Sequence, residues 1–189
     1  MSNKFITWLI VAVVLIGGIW YFGRGGIAEA PKQSTVPYSL AEYKISFEHP
    51  SRLYLKEVSN AGTPESPQLA VVLVEDTQMN RDILDGKSEL GGEGPTAIAV
   101  EVYQNPDGLE AEAWAKQGTN WTVSDEKLTP IVVAGQKGIS FNWDGLYQGK
   151  SLIVTKGTLA YVFSVTWLTP EDQLIKDFDM VLNSVKLAD

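Results

Sequence analysis

The 189-residue chain has no cysteine and a single histidine, His49. Without cysteine there can be no disulfide, thiolate zinc site, iron–sulfur cluster or cysteine nucleophile. A transition-metal centre needs several converging His or Cys ligands, and one histidine does not supply them. A Ser–His–Asp triad would have to use His49 as its base. Its place beside Pro50, at the end of an alternating run, reads instead as a solvated strand end. Positive charge is also scarce: 15 Lys and Arg stand against 23 Asp and Glu, a net charge of −8. Lys4 and Arg24 against Glu29 give the first thirty residues +1, which leaves −9 for the remainder. Such a surface repels phosphate backbones, so no nucleic-acid partner is expected. The glycine clusters at 23–26 and at Gly91-Gly92 lack the Lys-Ser/Thr ending of a phosphate loop and read as linkers.

Long apolar runs are absent with one exception. Residues 5–22, FITWLIVAVVLIGGIWYF, carry no charge. As a helix they would extend about 27 Å, close to the ~30 Å hydrocarbon core of a bilayer. Phe5, Trp8, Leu9, Ile10 and Val14 form the first half of this predicted anchor; Leu15, Ile19, Trp20, Tyr21 and Phe22 form the second. Trp8 lies near one end and Trp20-Tyr21 at the other, where amphipathic rings favour the interface. Lys4 and Arg24 flank the run and can snorkel. Two rival readings are a cleaved signal peptide and a buried helix. Ala28-Glu29-Ala30 has the form of a cleavage site, but Pro31 follows it and the run exceeds a usual signal core. Only the four residues 1–4 precede the run, as in an uncleaved signal anchor. That predicts a single-pass membrane protein with its C-terminal domain outside the cytoplasm. The lipid bilayer is then one partner, contacted through 5–22, and an envelope protein is the other. Residues 23–37, rich in Gly, Ala, Pro and Ser/Thr, read as a flexible tether.

The remaining 38–189 has the size of one domain, large enough to fold without staples. Tyr43, Ile45 and Phe47 alternate with polar residues until His49-Pro50, and Leu53, Leu55 and Val58 form a second short strand. Leu69–Val74 is continuously apolar, as in an interior strand. Residues 75–95 read as a long, acidic, glycine-rich loop. Ile98, Val100 and Val102 share one strand face. Asp107 is the expected N-cap of a short helix, with Glu110 closing a capping box and Leu109, Ala113 and Trp114 buried. Gly135-Gln136 and Lys156-Gly157 centre two hairpins. Along 159–167 one face is large and apolar and the other small and semi-apolar, which predicts a strand covered on both sides. Thr169 as N-cap, Pro170 at N1 and Asp172 at N3 would open a last helix. Its apolar stripe is Leu174, Phe178, Val181, Leu182 and Val185. The expected fold class is α+β: an antiparallel sheet sandwiched by helices, preceded by a transmembrane helix.

Three stretches give the chain a family likeness over about 38–188. They are Tyr43-Lys44-Ile45-Ser46-Phe47-Glu48-His49-Pro50, then Val133-Ala134-Gly135-Gln136-Lys137-Gly138-Ile139 running into Phe141-Asn142-Trp143, then Tyr161–Thr166 with Phe178–Val185. Their order and wording resemble the PsbP-like family, named after an extrinsic subunit of photosystem II. The resemblance implies a helix-flanked antiparallel sheet used as a non-catalytic binding module, with no cofactor. One departure is Leu53-Tyr54, where the family often has a tryptophan. The predicted anchor is a second, and the two favour a general bacterial envelope protein.

Candidate sites are few. Glu75, Asp76, Asp82, Asp85, Glu89 and Glu93 crowd the 75–95 segment, and Asp76, Asp82, Asp85 and Glu89 are the candidate calcium ligands. They lack the alternating Asp/Asn and closing Glu of a calcium loop, so a solvated acidic face is the simpler reading. No carboxylate pair stands out for glycoside hydrolysis. Trp114, Trp143 and Trp167 fall on expected core faces, leaving Trp121 as the candidate exposed aromatic. An interaction module whose contacts are the 75–95 segment and a free sheet edge is the leading expectation. A membrane-tethered hydrolase of glycans or peptides and a calcium-modulated module are its rivals.

Overall fold

The computed structural model describes residues 34–58, 66–87, 94–117 and 128–189. The predicted anchor at 5–22 lies outside these residues, as do Trp121, Glu89 and Glu93. Among the described residues no helix is long and apolar enough to cross a membrane.

Strong β-formers alternating with turn residues produce antiparallel pairing throughout. In chain order the strands are β1 (Thr35–Leu40), β2 (Ile45–Pro50), β3 (Leu53–Val58), β4 (Leu69–Glu75) and β5 (Ile98–Gln104). They continue with β6 (Thr129–Val133), β7 (Gln136–Asp144), β8 (Gln148–Lys156), β9 (Leu159–Trp167) and β10 (Lys186–Leu187). Seven of them form a sheet in the order β3-β4-β5-β9-β8-β7-β6, and the other three form a small sheet, β1-β2-β10. Helices α1 (Gln78–Leu84), α2 (Ala111–Lys116) and α3 (Gln173–Ser184) complete the fold.

The strand expected to be covered on both faces, β9, is the middle strand of the seven. Tyr161, Phe163 and Val165 enter the larger core, beneath α3 and the small sheet, while Ala160 and Val162 enter a second core beneath α2. Each fully buried large side chain, such as Phe163, contributes on the order of 2–3 kcal/mol by leaving water. Leu69–Val74 lies in β4, flanked on both sides, as its apolar run predicts. Along α3 the expected stripe is in place, with Leu174, Phe178 and Val181 buried against β2 and β9. The sandwich is therefore asymmetric: α2 covers one face, and α3 with the small sheet covers the other.

Several expectations are corrected. Thr35–Pro37, read as tether, belong to β1 and pair with His49 and its neighbours in β2. His49 is not solvated but 6% exposed, with Nδ1 on the Pro50 carbonyl at 3.1 Å. The segment after β4 contains α1, capped by Thr77, whose Oγ1 accepts from the Asn80 N–H at 3.2 Å. Its end is closed by Gly86 at φ 69°, with Gly86 N–H on the Ile83 carbonyl and Lys87 N–H on that of Asp82. That double closure needs a left-handed residue, which glycine adopts without Cβ strain.

Two helices start later than the sequence suggests, for one reason. Pro106 and Pro170 fix the second position of tight turns rather than the first turn of a helix. Gly108 N–H bonds the Asn105 carbonyl and Asp172 N–H the Thr169 carbonyl, each at 3.0 Å. Helix α2 then begins at Ala111 behind Glu110, which makes no side-chain cap, and buries Ala111, Trp114 and Ala115 rather than Ala113. Helix α3 begins behind Asp172, whose carboxylate accepts from Leu174 N–H at 3.0 Å.

Candidate functional site

The acidic residues singled out from the sequence do not converge. Asp76 holds Arg81 through two bonds, of 2.5 and 2.7 Å. Asp85 accepts from Lys56 at 2.8 Å and Lys87 at 2.9 Å, and Asp82 accepts from Gln78 at 2.9 Å. Hydrogen bonds from these cations hold the carboxyls of Asp85 and Asp76 below the ordinary carboxylate range. Arg81 also stacks on Tyr54, its guanidinium carbon 4.7 Å from the ring centre. These groups fasten α1 to β3. Among the described residues no group of three His, Asp or Glu could hold a metal ion. Burial lowers the His49 pKa, against a partly opposing hydrogen bond with Pro50.

A different feature stands at the sheet end where β7, β9 and β4 finish and β8 and β5 begin. Trp143 on β7 is cross-strand partner of Gly149 on β8, and Gln148 is partner of Trp167 on β9. A Cβ on Gly149 would fall 2.3 Å from the Trp143 ring, so the indole lies directly against this backbone. Trp143 Nε1 donates to Ser151 Oγ at 3.0 Å, and Ser151 in turn shares a 2.8 Å bond with Ser164. Trp167 Nε1 donates to Gln148 Oε1 at 2.9 Å. Both rings are thus held in place by bonds to the sheet rather than by packing alone.

Trp143, Trp167, Asn142, Asp144, Gln148 and Gly149 line a recess of about 480 Å³. Trp143 and Trp167 are half-buried, not the full core residues their alternation implies. Leu146 and Leu168, which follow β7 and β9 at this end, are 61% and 66% exposed. Exposed leucines beside half-buried aromatics are the usual composition of a contact surface. Helix α1 leaves the sheet at the same end, and Tyr147 reaches across to the Gly94 carbonyl at 2.8 Å. The turn after β7 is thus fastened to the chain that leads into β5. A second recess, of about 590 Å³, lies at the opposite end among the turns at Gly108, Gly135 and Gly157. Of its two lysines, Lys137 and Lys156, the latter is engaged by Asp189 and the Leu187 carbonyl.

The sequence did hold a signal for the recess: a glycine opposite a tryptophan, in a hairpin whose turn carries an exposed leucine. Reading it requires the β7–β8 register, which alternation does not supply.

Among its described residues the chain is a sheet domain with an aromatic-lined recess at one end. Comparison with solved structures gives the same fold class. The solution structure of cyanobacterial PsbP from Synechocystis is similar over 87% of this chain and 99% of its own, at 15% identity and a TM-score of 0.50. A crystal structure of a Bacteroides thetaiotaomicron protein is similar over 83% of this chain at 10% identity, with a TM-score of 0.51. This chain spans about half of that protein, 49%. No protein-family model matches the chain, and no curated protein matches its sequence. The fold is PsbP-like.

Proposed function

We propose that the chain is a membrane-tethered interaction domain, non-catalytic and carried outside the cytoplasm on one N-terminal helix. The uncharged run at 5–22 supports the tether, since ~20 apolar residues match a bilayer core. The PsbP-like fold supports a binding module. The observation that carries the reading is the Trp143–Trp167 recess flanked by exposed Leu146 and Leu168. Tethering confines this surface to the membrane plane and raises its effective concentration toward other membrane-bound proteins.

A photo-crosslinking residue placed at Leu146 or Leu168 in cells should yield a discrete adduct, and the same residue at exposed Val132 should not. Protease added to intact cells should remove the domain while sparing the anchor. A chain extracted by carbonate without detergent, or adducts equal at all three positions, would overturn the proposal.

A further inference from the structure

We infer that this end of the domain rests on the lipid surface of the membrane that holds the tether, with Leu146 and Leu168 in the headgroup layer; this rests on the tether reading above. Of the six exposed large hydrophobics among the described residues, Val36, Met79, Leu146 and Leu168 stand at this end, and Val58 and Val132 stand elsewhere. The strand register places the four together. β1 starts here because Thr35 pairs with Pro50, and β3 starts here with Leu53 opposite Glu75. Helix α1, which carries Met79, follows the end of β4 at the same point. Behind the leucines, Trp143 packs on the core beneath α2 and Trp167 on the core beneath α3, so the rings flank the sheet end on its two faces. Leucines ahead of a girdle of half-buried indoles form a surface suited to the boundary between water and lipid.

The point where the chain enters the domain selects lipid as the occupant. Ser34 is fastened at this end, its carbonyl accepting from the Ser51 N–H at 2.9 Å. Residues 23–33 separate it from the apolar run, and a coil of that length spans about 20 Å. Strands β7, β8 and β9 have nine residues each and carry the turns at Gly135 and Gly157 about 30 Å away, toward water. Two leucines would hold a free domain only weakly; a tether that keeps them near the surface makes the contact intramolecular. Charge supplies no attraction to an anionic surface. Glu75, Asp144 and Glu171 are exposed at this end against the half-buried Lys150, while Arg52 and Arg81 are engaged by Asp177 and Asp76. The contact is therefore apolar and favours zwitterionic over anionic headgroups. It holds the Trp143–Trp167 recess at headgroup height, level with other proteins of the same membrane.

The test uses the full chain reconstituted in phosphatidylcholine vesicles. It has no cysteine, so Leu146→Cys, Leu168→Cys and Val132→Cys each accept a single polarity-sensitive fluorophore. All three positions are exposed, so the variants keep the fold. Labels at 146 and 168 should shift to the blue and lose about half their emission to nitroxide-bearing lipid, as side chains at the headgroup–acyl boundary do. The label at 132 should do neither. Adding Leu168→Ser should reduce the quenching at 146 several-fold, and replacing part of the lipid by phosphatidylglycerol at low salt should reduce it as well. Labels at 146 and 168 quenched no more than the one at 132 would overturn the inference. So would quenching that Leu168→Ser leaves unchanged or that phosphatidylglycerol increases. If the chain floats with the vesicles while both labels stay in water, the lipid contact fails and the tether reading stands. If the chain does not float with the vesicles, the tether reading fails too.

Discussion

Arg52, in the β2–β3 turn, donates to the carboxylate of Asp177 on α3, 125 positions away in sequence. Asp177 is fully buried, at 0% exposure, whereas the Arg52 side chain keeps 34%. A buried carboxylate persists only when paired, and Gln173 Nε2 at 3.3 Å is a weak second donor. Arg52→Ala should therefore cost about 2–4 kcal/mol, by removing the cation that faces this buried carboxylate. Asp177→Asn should cost less, and the double variant less than the sum of the two. Chemical denaturation of the four proteins measures this coupling, and strict additivity would mean that the pair is not coupled.

Glu101 gives the pH dependence. It is half-buried on β5, where its carboxylate accepts from the Tyr103 hydroxyl at 3.3 Å. Burial raises its pKa above the usual carboxylate value, against a smaller lowering by Tyr103. The folded chain thus holds this proton more tightly than the unfolded one. Its contribution is most favourable below the unfolded pKa and declines as pH rises through the folded pKa. Glu101→Gln should therefore melt higher than wild type at neutral pH, and the gain should vanish in acid. A variant that melts lower at pH 7 would contradict this sign.

The β6–β7 turn carries a strained residue. Ala134 has φ 49° and Gly135 φ 77°, the left-handed pair of a type I′ hairpin. Asparagine tolerates this region better than alanine, so Ala134→Asn should stabilise by about 0.5–1 kcal/mol. Thermal melting would detect it, and an unchanged midpoint would show that the turn bears no strain.

Gly149 ties stability to the recess. A methyl group there meets the Trp143 ring at 2.3 Å. Gly149→Ala should cost about 1–3 kcal/mol by overpacking and should displace Trp143 from Ser151. The Trp143 indole N–H signal should move with the loss of that bond, while the Trp167 signal stays nearly fixed. A variant of wild-type stability with an unmoved Trp143 signal would refute the close packing.

Alternation and helical periodicity were enough to derive the frame. The two-faced pattern of 159–167 identified a strand covered on both sides, and the Leu174–Val185 stripe identified the packed face of α3, because both periods report burial locally. Local cues misled where one residue type serves two geometries. Pro106 and Pro170 open turns here, and Thr77 with Gly86 bracketed a helix in a segment whose acidity resembled a loop. The partners of polar side chains were beyond any local reading. Asp85 binds Lys56, Asp177 binds Arg52, and Trp143 lies on Gly149, and each choice follows from strand register and helix docking. Sequence by itself decided which faces are apolar, since that is a property of spacing. Tertiary structure decided which tryptophans stay half open and which cation each carboxylate pairs with, since those depend on what the fold brings within a few ångströms.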